Sequence, residues 1–268
     1  MNILDTIIAH KKKEVSLRKK ETPVHVLEQT AFFSRNTFSL VSFLADPRRT
    51  GIIAEFKRQS PSKGIINAAA DIVSVTAAYA EAASGISVLT DTDFFGGSND
   101  DLERARVNDV PILRKDFIID EYQLVEAKAI GADLVLLIAA CLDPRDVKRL
   151  ATTARGLNLE VLLEVHDRSE LDRYCDAVSL VGVNNRSLQT FAVDIYTSVE
   201  LFHALPADKP AIAESGISDP AVIRQLREVG YRGFLVGENF MKAADPASSF
   251  RNFVQQLRQT ENTGAHGE

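Results

Sequence analysis

The segment 52–64 combines two charged side chains with a turn that could bind an anion. Glu55 and Lys57 end an apolar run, and because they lie two residues apart they project from the same face of a β-strand. Burying such charges is costly unless a functional site uses them. Ser60 begins the Ser-Pro-Ser-Lys-Gly turn that follows, which offers hydroxyl and backbone N–H donors. The segment therefore predicts acid–base groups beside an anion-binding turn.

Other apolar runs also end in polar side chains. The polar residues at those ends are Lys115, Glu164, Asn184, Asn185, Arg186, Glu214, Ser215 and Glu238. One charge at a strand end often has a structural role, but charges at the ends of so many runs are difficult to explain by packing. Lys115 is predicted to face the same way as Leu113, two residues earlier. His166, just beyond Glu164, is expected at the rim of the same site.

Eight short apolar runs alternate with helical patterns after residue 50. The runs are residues 52–57, 86–90, 110–115, 133–139, 159–165, 180–184, 211–214 and 233–237. Helical patterns at residues 68–83, 121–130, 143–155 and 221–228 lie between them. A spacing of roughly 21 to 34 residues fits one strand plus one crossover helix. The pattern predicts a single (β/α)8 TIM barrel; a doubly wound open sheet is the alternative, although its glycine-rich dinucleotide turn is missing.

Three regions follow from this pattern. Residues 1–50 are expected to form a helical extension packed on the barrel, with a second helix at residues 38–44. Residues 51–258 form the catalytic barrel, and residues 259–268 a disordered tail. The basic cluster of His10, Lys11, Lys12 and Lys13 is interpreted as the solvated face of the first helix. The extension either covers one end of the barrel and adds apolar contacts to a ligand, or only stabilises the fold.

Composition and charge narrow the classes of function. The 268 residues are 45% hydrophobic, with a net charge of −6 and an isoelectric point near 5.5, which argues against nucleic-acid binding. No apolar stretch reaches the roughly 20 residues of a membrane span, and no secretory leader is expected. Cys141 and Cys175 suggest no disulfide framework and fit a reducing cytoplasm. No tight metal-ligand spacing occurs, so we expect neither a metal nor a cofactor.

Glycines near the ends of the last two runs indicate what the site binds. Gly216 and Gly237 lie in the loops after strands seven and eight, the usual phosphate site of such barrels. Without a Cβ, backbone N–H groups can approach a phosphate closely. Ser60 and Ser215 would add hydroxyl donors, and Arg186 suits a second anion such as a carboxylate. We therefore expect a phosphorylated small-molecule substrate.

The expected chemistry is acid–base. A lysine beside carboxylates can protonate a carbonyl or a leaving hydroxyl, and a glutamate can accept protons. A Schiff base on Lys115 or Lys57 is the alternative, but neighbouring glutamates keep a lysine charged and disfavour the amine nucleophile. Phe94 or Phe95, in the glycine-rich loop after the second run, would line an aromatic-binding wall or cap the barrel.

The motifs at these positions resemble those of indole-3-glycerol phosphate synthase, in order and over nearly the whole chain. The matching segments are EFKRQSPSKG at 55–64, VLTD at 88–91 with FFGGS at 94–98, PILRKDF at 111–117, GAD at 131–133 with LLI at 136–138, EVLLEV at 160–165, GVNNR at 182–186, AESGI at 213–217 and FLVGE at 234–238. Some members of the family are fused to a second barrel. We expect the monofunctional form here.

The resemblance implies a substrate and a reaction. The substrate would be 1-(2-carboxyphenylamino)-1-deoxyribulose 5-phosphate, which loses carbon dioxide and water on ring closure to indole-3-glycerol phosphate in tryptophan biosynthesis. Lys115 would be the general acid at the ketone, and Glu164 a general base or charge stabiliser in the dehydration. Glu55 and Lys57 would assist the proton relay. We expect a cytoplasmic monomer that needs neither nucleic acid nor membrane.

The resemblance also implies roles for the remaining polar residues. Asn184 and Glu214 would orient substrate hydroxyls and catalytic groups, and Arg186 would hold the anionic substrate. The phosphate cradle would comprise Ser60, Ser215, Gly216, Gly237 and Glu238, the last two through their backbone. From its place in the glycine-rich loop, rather than from the resemblance, Phe94 is expected to contact the substrate.

Two other functions remain open. Phosphoribosylanthranilate isomerase is another phosphate-binding barrel, but its chemistry needs one acid and one base and has no evident use for two lysines with three glutamates. A barrel that serves only as a binding module or scaffold would not need Lys115 or Glu164, and both are present.

Overall fold

The apolar runs form the strands of a closed barrel. The computed structural model describes residues 3–264. Its strands are β1 (Ile52–Phe56), β2 (Gln59–Ser60), β3 (Gly64–Ile65), β4 (Gly85–Leu89), β5 (Ile112–Lys115), β6 (Leu134–Ile138), β7 (Glu160–Val165), β8 (Leu180–Asn184), β9 (Ala211–Glu214) and β10 (Gly233–Val236). β2 and β3 form a separate hairpin, and the others close a barrel in the order β1-β10-β9-β8-β7-β6-β5-β4. The predicted TIM barrel is confirmed, and the open sheet is excluded.

Helices connect the barrel strands on the outside and extend the chain at both ends. They are α1 (Ile3–Glu21), α2 (Val24–Leu27), α3 (Leu40–Ala45), α4 (Ile72–Ala80), α5 (Asn99–Ala105), α6 (Glu121–Ala129), α7 (Pro144–Gly156), α8 (Tyr196–Leu201), α9 (Pro220–Val229), α10 (Glu238–Met241) and α11 (Pro246–Gly264). Short 3-10 helices cover Ala139–Cys141, Arg168–Arg173 and Phe202–Ala204. α4 begins at residue 72 rather than 68, because the Asp71 carboxylate accepts the backbone N–H of Ser74 and caps the helix there.

Each barrel strand separates two apolar layers. In β6, Leu134, Leu136 and Ile138 belong to the core inside the barrel, whereas Val135 and Leu137 belong to the core between barrel and helices. Parallel strands covered on both faces are expected to be apolar in this continuous way. The same alternation determines which side chains reach the barrel interior, and therefore which can reach a site at its end.

Helix α3 closes the amino-terminal end of the barrel. Leu40 is fully buried and packs against the interior core. Glu160, the first residue of β7, accepts the Ser39 hydroxyl at 2.5 Å and the Leu40 backbone N–H at 2.8 Å. The helix predicted at residues 38–44 is therefore present, and it lies at the end of the barrel opposite the strand carboxyl ends.

Helix α1 lies at the carboxyl-terminal end. The Lys11 side chain is only 1% exposed, and its ammonium lies 2.9 Å from Asp91 Oδ2 and 2.9 Å from Asp116 Oδ1, just after β4 and β5. Burial alone would lower the pKa of Lys11, but the charges of Asp116 and Asp91 raise it. The interpretation of Lys11 as part of a solvated face is therefore wrong, because α1 docks through this ion cluster. Lys12 and Lys13 are exposed, as that interpretation predicts.

The last helix extends into the segment 259–268 that the sequence predicts to be a disordered tail. α11 continues to Gly264, past residue 258. Residues 265–268 of the predicted tail lie outside the described residues. Between residues 3 and 264, no helix combines the length and apolar character needed to cross a membrane.

Candidate active site

The carboxyl-terminal end of the barrel holds a cavity with a strongly polar wall, called here the central cavity. Its polar lining residues are Glu55, Lys57, Ser60, Ser62, Asp91, Lys115, Asp116, Glu164, Asn184, Arg186, Glu214, Ser215 and Glu238. Strand alternation explains how several of them converge. Each of Glu55, Lys115, Glu164 and Glu214 lies two residues after a member of the interior core. These charged side chains therefore form the layer of the barrel interior next to its carboxyl-terminal end.

Lys115 is the centre of the charge cluster. Its ammonium lies 3.1 Å from Glu164 Oε2 and 2.9 Å from Glu214 Oε2. Both carboxylates are buried, whereas Lys115 keeps 14% of its side chain exposed and lines the cavity. An ammonium has three N–H donors, so one remains for a ligand after both carboxylates are paired.

The groups of this cluster shift one another's pKa. Burial alone would lower the pKa of Lys115, but the charges of Glu164, Glu214 and Glu55 raise it, so the side chain is held as an ammonium. Burial raises the pKa of Glu214, and the negative charge of Glu164 raises it further. The positive charge of Lys115 lowers it, but by less than these two effects together. For Glu164, burial is outweighed by the charges of Lys115 and His166, and its pKa is lowered. A proton shared by the two carboxyls therefore resides on Glu214.

A second ion pair joins Glu55 and Lys57, whose Oε1 and Nζ atoms lie 2.7 Å apart. Burial would raise the pKa of Glu55, but the charges of Lys57 and Lys115 lower it, so this carboxylate connects the two lysines electrostatically. Gly237 provides the space for it. A Cβ at that position would lie 2.7 Å from Glu55 Oε1 and 2.8 Å from its Cβ. Close packing of Glu55 thus explains this glycine independently of any phosphate.

Gly182 makes room for Glu214 in the same way. A Cβ at this position in β8 would overlap Glu214 Oε1. We expect Gly182→Ala to lower the free energy of unfolding by about 1–3 kcal/mol, the usual cost of overpacking. We also expect kcat to fall, because the Glu214 carboxyl must move from its position beside Lys115. Urea unfolding and steady-state kinetics measure the two effects.

Gly156→Ala is the matched control. Gly156 ends α7, and a Cβ there meets no atom within 4 Å. Alanine is favoured over glycine in helices by about 1 kcal/mol, so this variant should keep kcat and unfold no more easily than the wild type. Wild-type kinetics and stability in Gly182→Ala would show that the carboxyl needs no such space.

The other wall of the central cavity is apolar. α1 contributes Ile3, Leu4 and Ile7, and the barrel loops contribute Phe95, Phe117 and Phe191. The rings of Phe95 and Phe117 have centroids 6.0 Å apart. Phe94, the predicted contact for the aromatic ring, instead packs edge-on against His10 at 5.7 Å and does not line this cavity. Neighbouring side chains of the loop point in different directions, so Phe95 occupies the position predicted for Phe94.

A second cavity, called here the side cavity, adjoins the central one. Gly216, Gly237, Lys63 and Lys242 line the side cavity, and Lys57, Arg186, Ser215 and Glu238 line both. Ser60 lines the central cavity. The residues predicted to cradle a phosphate are therefore divided between two spaces that meet at Ser215 and Lys57.

The turn after β9 has a strained backbone. Ser215 has a φ of 67°, a value that is uncommon for residues other than glycine and is concentrated at functional sites. Asn185 holds this turn: its side-chain N–H donates to the Ser215 carbonyl at 3.2 Å, and its side-chain carbonyl accepts the Ser198 hydroxyl at 2.8 Å. Sequence reasoning assigned no role to Asn185. Alternation along the chain is the signal that could have found it, since it turns Asn185 away from the cavity that Asn184 lines.

Asn184 and Arg186 both line the central cavity. Asn184 Oδ1 accepts the backbone N–H of Arg186 at 3.0 Å. The Arg186 guanidinium lies 3.3 Å from Glu238 Oε2, and Lys63 Nζ lies 3.6 Å from Glu238 Oε1. The Glu238 carboxylate thus pairs with two cations, Arg186 and Lys63, that could bind a substrate anion. An anion bound there would compete with Glu238 for them.

Metal ligation and thiol chemistry have little support in the described part of the chain. Among residues 3–264, no group of three or more His, Cys, Asp or Glu side chains is arranged to hold a metal ion. Cys141 is a free thiol next to β6. Burial raises the pKa of Cys141 to about 12, which makes it a poor nucleophile.

Comparison of the sequence with known proteins gives long matches. The model of the indole-3-glycerol phosphate synthase family matches residues 4–253. The chain is 47% identical to the indole-3-glycerol phosphate synthase of Bacteroides thetaiotaomicron over 259 residues, which covers 96% of this chain and 99% of that protein. It is 44% identical to the enzyme of the same name from Salinibacter ruber, covering 93% of this chain and 94% of that protein.

Solved structures are similar at lower identity. A mutant tryptophan synthase α-subunit from Pyrococcus furiosus has a TM-score of 0.61 at 17% identity, covering 79% of this chain and 99% of that one. The 3-hexulose-6-phosphate synthase of Salmonella typhimurium has a TM-score of 0.61 at 16% identity, covering 78% and 98%. At these identities the likeness shows the barrel fold alone.

Proposed function

Because the chain belongs to the indole-3-glycerol phosphate synthase family, as its motifs predict, we propose that it converts 1-(2-carboxyphenylamino)-1-deoxyribulose 5-phosphate into indole-3-glycerol phosphate in tryptophan biosynthesis. The reaction joins the aromatic ring to the ketone carbon and releases carbon dioxide and water. The proposed mechanism depends on the surroundings of Lys115. Lys115 lies between two buried carboxyls in a cavity that also has an apolar, aromatic wall.

Lys115 acts at the ketone of the substrate. Its raised pKa keeps it as an ammonium, which supports acid catalysis over a Schiff base. The N–H left over from its two ion pairs donates to the ketone oxygen and stabilises the negative charge that develops as the aromatic carbon attacks. Since the raised pKa also makes Lys115 a weak acid, charge stabilisation is the larger part of this role. Phe95 and Phe117 support the aromatic ring in the cavity.

The carboxyl groups serve the dehydration. A hydroxyl leaves as water once it is protonated, and a proton must leave the adjacent carbon. Glu164, whose pKa is lowered, is ionised and accepts that proton or stabilises the cationic nitrogen. Glu214, whose pKa is raised by burial, takes up a proton more readily than Glu164 and orients the reacting groups. Lys57, paired with Glu55, donates the proton with which the hydroxyl leaves as water, and the proton taken up by Glu164 balances it.

The substrate phosphate binds where the two cavities meet. Lys57 and Ser215 line both cavities there, and Gly216 and Gly237 expose their backbone on the side cavity. Loops after the last two strands are the usual phosphate site of this fold. Ser60 adds a hydroxyl from the central cavity.

The substrate carboxylate binds Arg186, which follows Asn184 by two residues. Arg186 would bind it in place of the Glu238 carboxylate, which lies 3.3 Å from the guanidinium. Glu238 then takes part in phosphate binding through its backbone. Asn184 keeps Arg186 in place through the hydrogen bond to its backbone N–H.

The assay for this function uses the composition of the chain. The sequence contains no tryptophan, so the indole fluorescence of the product is read without a contribution from indole side chains of the protein. We expect this fluorescence to grow when the substrate is added without metal or nucleotide. A phosphoribosylanthranilate isomerase or an inactive scaffold would form no indole. Folded protein that yields no signal would contradict the proposal.

A substrate analogue without the phosphate tests the anion site. We expect its kcat/KM to be at least about tenfold lower, because one hydrogen bond to a charged group is worth about 1.5–3 kcal/mol. Inorganic phosphate should compete with the substrate, whereas chloride at equal ionic strength should not. Equal kcat/KM values for the substrate and for the analogue without the phosphate would contradict the proposed phosphate site.

The same proposal includes a monomeric enzyme in the cytoplasm, with no nucleic-acid or membrane partner. The acid–base groups of the proposed mechanism, Lys57, Lys115 and Glu164, all come from one chain, so the chemistry needs no residue of a second copy. Cys141 and Cys175 are free thiols, which suits a reducing compartment. The net charge of −6 disfavours nucleic acid. Sedimentation at the concentration of the assay tests the oligomeric state, and a dimer whose dissociation abolishes turnover would contradict it.

A further inference from the structure

His166 lies beside the charge cluster but does not line the central cavity. It follows Glu164 by two residues and keeps 12% of its side chain exposed. His166 Nε2 lies 3.5 Å from Glu164 Oε1, and Nδ1 lies 3.3 Å from Glu170 Oε2. The backbone N–H of His166 donates to the same Glu170 oxygen at 2.8 Å, which holds that carboxylate beside the ring.

The position of the ring favours the charged form of His166. A neutral imidazole has one N–H donor and an imidazolium has two. Only the imidazolium can therefore direct an N–H toward Glu164 and another toward Glu170. Burial would lower the pKa of His166, but the hydrogen bond to Glu170 and the charges of Glu164 and Glu170 raise it.

The other titratable groups near His166 do not reverse this preference. Glu214, inside the barrel, and Asp167, the next residue along the chain, interact electrostatically with the ring, and a carboxylate favours the imidazolium. Cys141, on the adjoining 3-10 helix, is an un-ionised thiol because its pKa is raised to about 12. Lys115 is on the far side of Glu164, paired with its other oxygen.

Glu164 therefore divides its two oxygens between two cations. Oε2 is paired with Lys115 and Oε1 faces His166. When the charge of Lys115 is drawn toward the negative charge that develops on the ketone oxygen, it neutralises Glu164 less, and His166 is the positive neighbour that remains. Resting on the proposed roles of Lys115 and Glu164, we infer that His166, held by Glu170, is a positioning residue that keeps Glu164 ionised and oriented during turnover.

His166→Gln tests this role with a side chain that retains an N–H donor but carries no charge. We expect kcat to fall about tenfold, which corresponds to about 1.4 kcal/mol, because Glu164 loses a neighbouring positive charge. KM should change little, because His166 does not line the cavity. Loss of the cation raises the pKa of Glu164, so activity should be lost at a higher pH than in the wild type as the pH is lowered.

Two further variants complete the kinetic test. Glu170→Gln should lower kcat near neutral pH by a smaller amount than His166→Gln, because the imidazole remains but is less often protonated there. It also keeps the test open if His166→Gln does not fold. His203→Gln is the matched control, since His203 packs on Phe202 in the 3-10 helix Phe202–Ala204 and lines neither cavity.

An NMR titration of His166 gives a readout that is independent of turnover. Its ring signal is identified by its loss in His166→Gln. We expect a pKa above the ordinary imidazole value, and a lower one in both Glu164→Gln and Glu170→Gln, because each change removes a negative neighbour.

The outcomes separate this inference from the proposed function. Full turnover in Glu164→Gln would overturn the proposed role of Glu164 itself. If Glu164→Gln is inactive while His166→Gln keeps the wild-type kcat and acidic limb, His166 has no positioning role. A His166→Gln variant that only unfolds more easily, or a His166 titration unchanged by Glu164→Gln, would likewise overturn the inference.

Discussion

Replacing Lys115 by alanine should lower kcat by about 10²–10⁴-fold, the range that a positioned general acid contributes. The Lys115 ammonium faces the cavity between Glu164 and Glu214. Without it, the ketone oxygen loses its donor, and the developing negative charge meets two carboxyl groups. Initial rates of indole fluorescence measure the loss directly. Turnover at the wild-type rate in Lys115→Ala would eliminate the proposed mechanism.

This variant needs controls for folding. Removing one partner of a buried ion pair costs about 3–5 kcal/mol of stability, so Lys115→Ala should also unfold at lower urea concentration. Lys115→Arg retains the charge, but its planar guanidinium is larger than an ammonium and directs its N–H groups differently, so it does not place a donor at the ketone oxygen. It should therefore recover stability without recovering activity. Lys148→Ala, on the exposed surface of α7, should change neither.

Lys11→Met should lower the free energy of unfolding by about 3–5 kcal/mol, because Asp91 and Asp116 lose a buried cation. It should also raise KM about tenfold, which corresponds to about 1.4 kcal/mol of substrate-binding free energy. Leu4 and Ile7 line the central cavity from the same helix, so weaker docking of α1 removes apolar contacts from the substrate. Urea unfolding and steady-state kinetics measure the two effects.

The neighbouring lysines are the controls. Lys12→Met and Lys13→Met make the same chemical change on the same helix, at positions that are exposed. Surface substitutions of this kind usually change stability by no more than about 0.5 kcal/mol. Equal stability of all three variants would mean that the ion cluster around Lys11 does not hold α1 on the barrel.

The barrel could be predicted because its signals are local in the sequence. Each strand is an apolar run, and each connection has the length of one helix. The position of Lys115 on the face of Leu113 follows from alternation alone, and the structure places both inside the barrel. Charged residues at the ends of these runs converge because the strands of a closed parallel barrel all end at one rim.

Contacts between distant segments could not be predicted in this way. Lys11 resembles its exposed neighbours, because Asp91 and Asp116, which bury it, lie far along the chain. Phe94 and Phe95 are identical in type, and only the path of their loop decides which one lines the cavity.

The glycines of the site present the same difficulty. Gly182 and Gly237 look in the sequence like backbone requirements. In the structure, each leaves space for a carboxyl from a neighbouring strand, Glu214 and Glu55 respectively. The need for a glycine at these positions arises only when the neighbouring strands are paired. The local sequence around each glycine therefore does not reveal it.

Leu4 and Ile7 belong both to α1 and to the wall of the central cavity, which links two equilibria. A molecule that contacts them binds more tightly while α1 is docked than when it is not. By thermodynamic reciprocity, such a ligand strengthens the docking of α1 by the same factor by which docking strengthens its own binding. Resistance of the exposed Lys12 and Lys13 to trypsin should therefore rise with occupancy of the active site, and the protease would report on binding from outside the barrel.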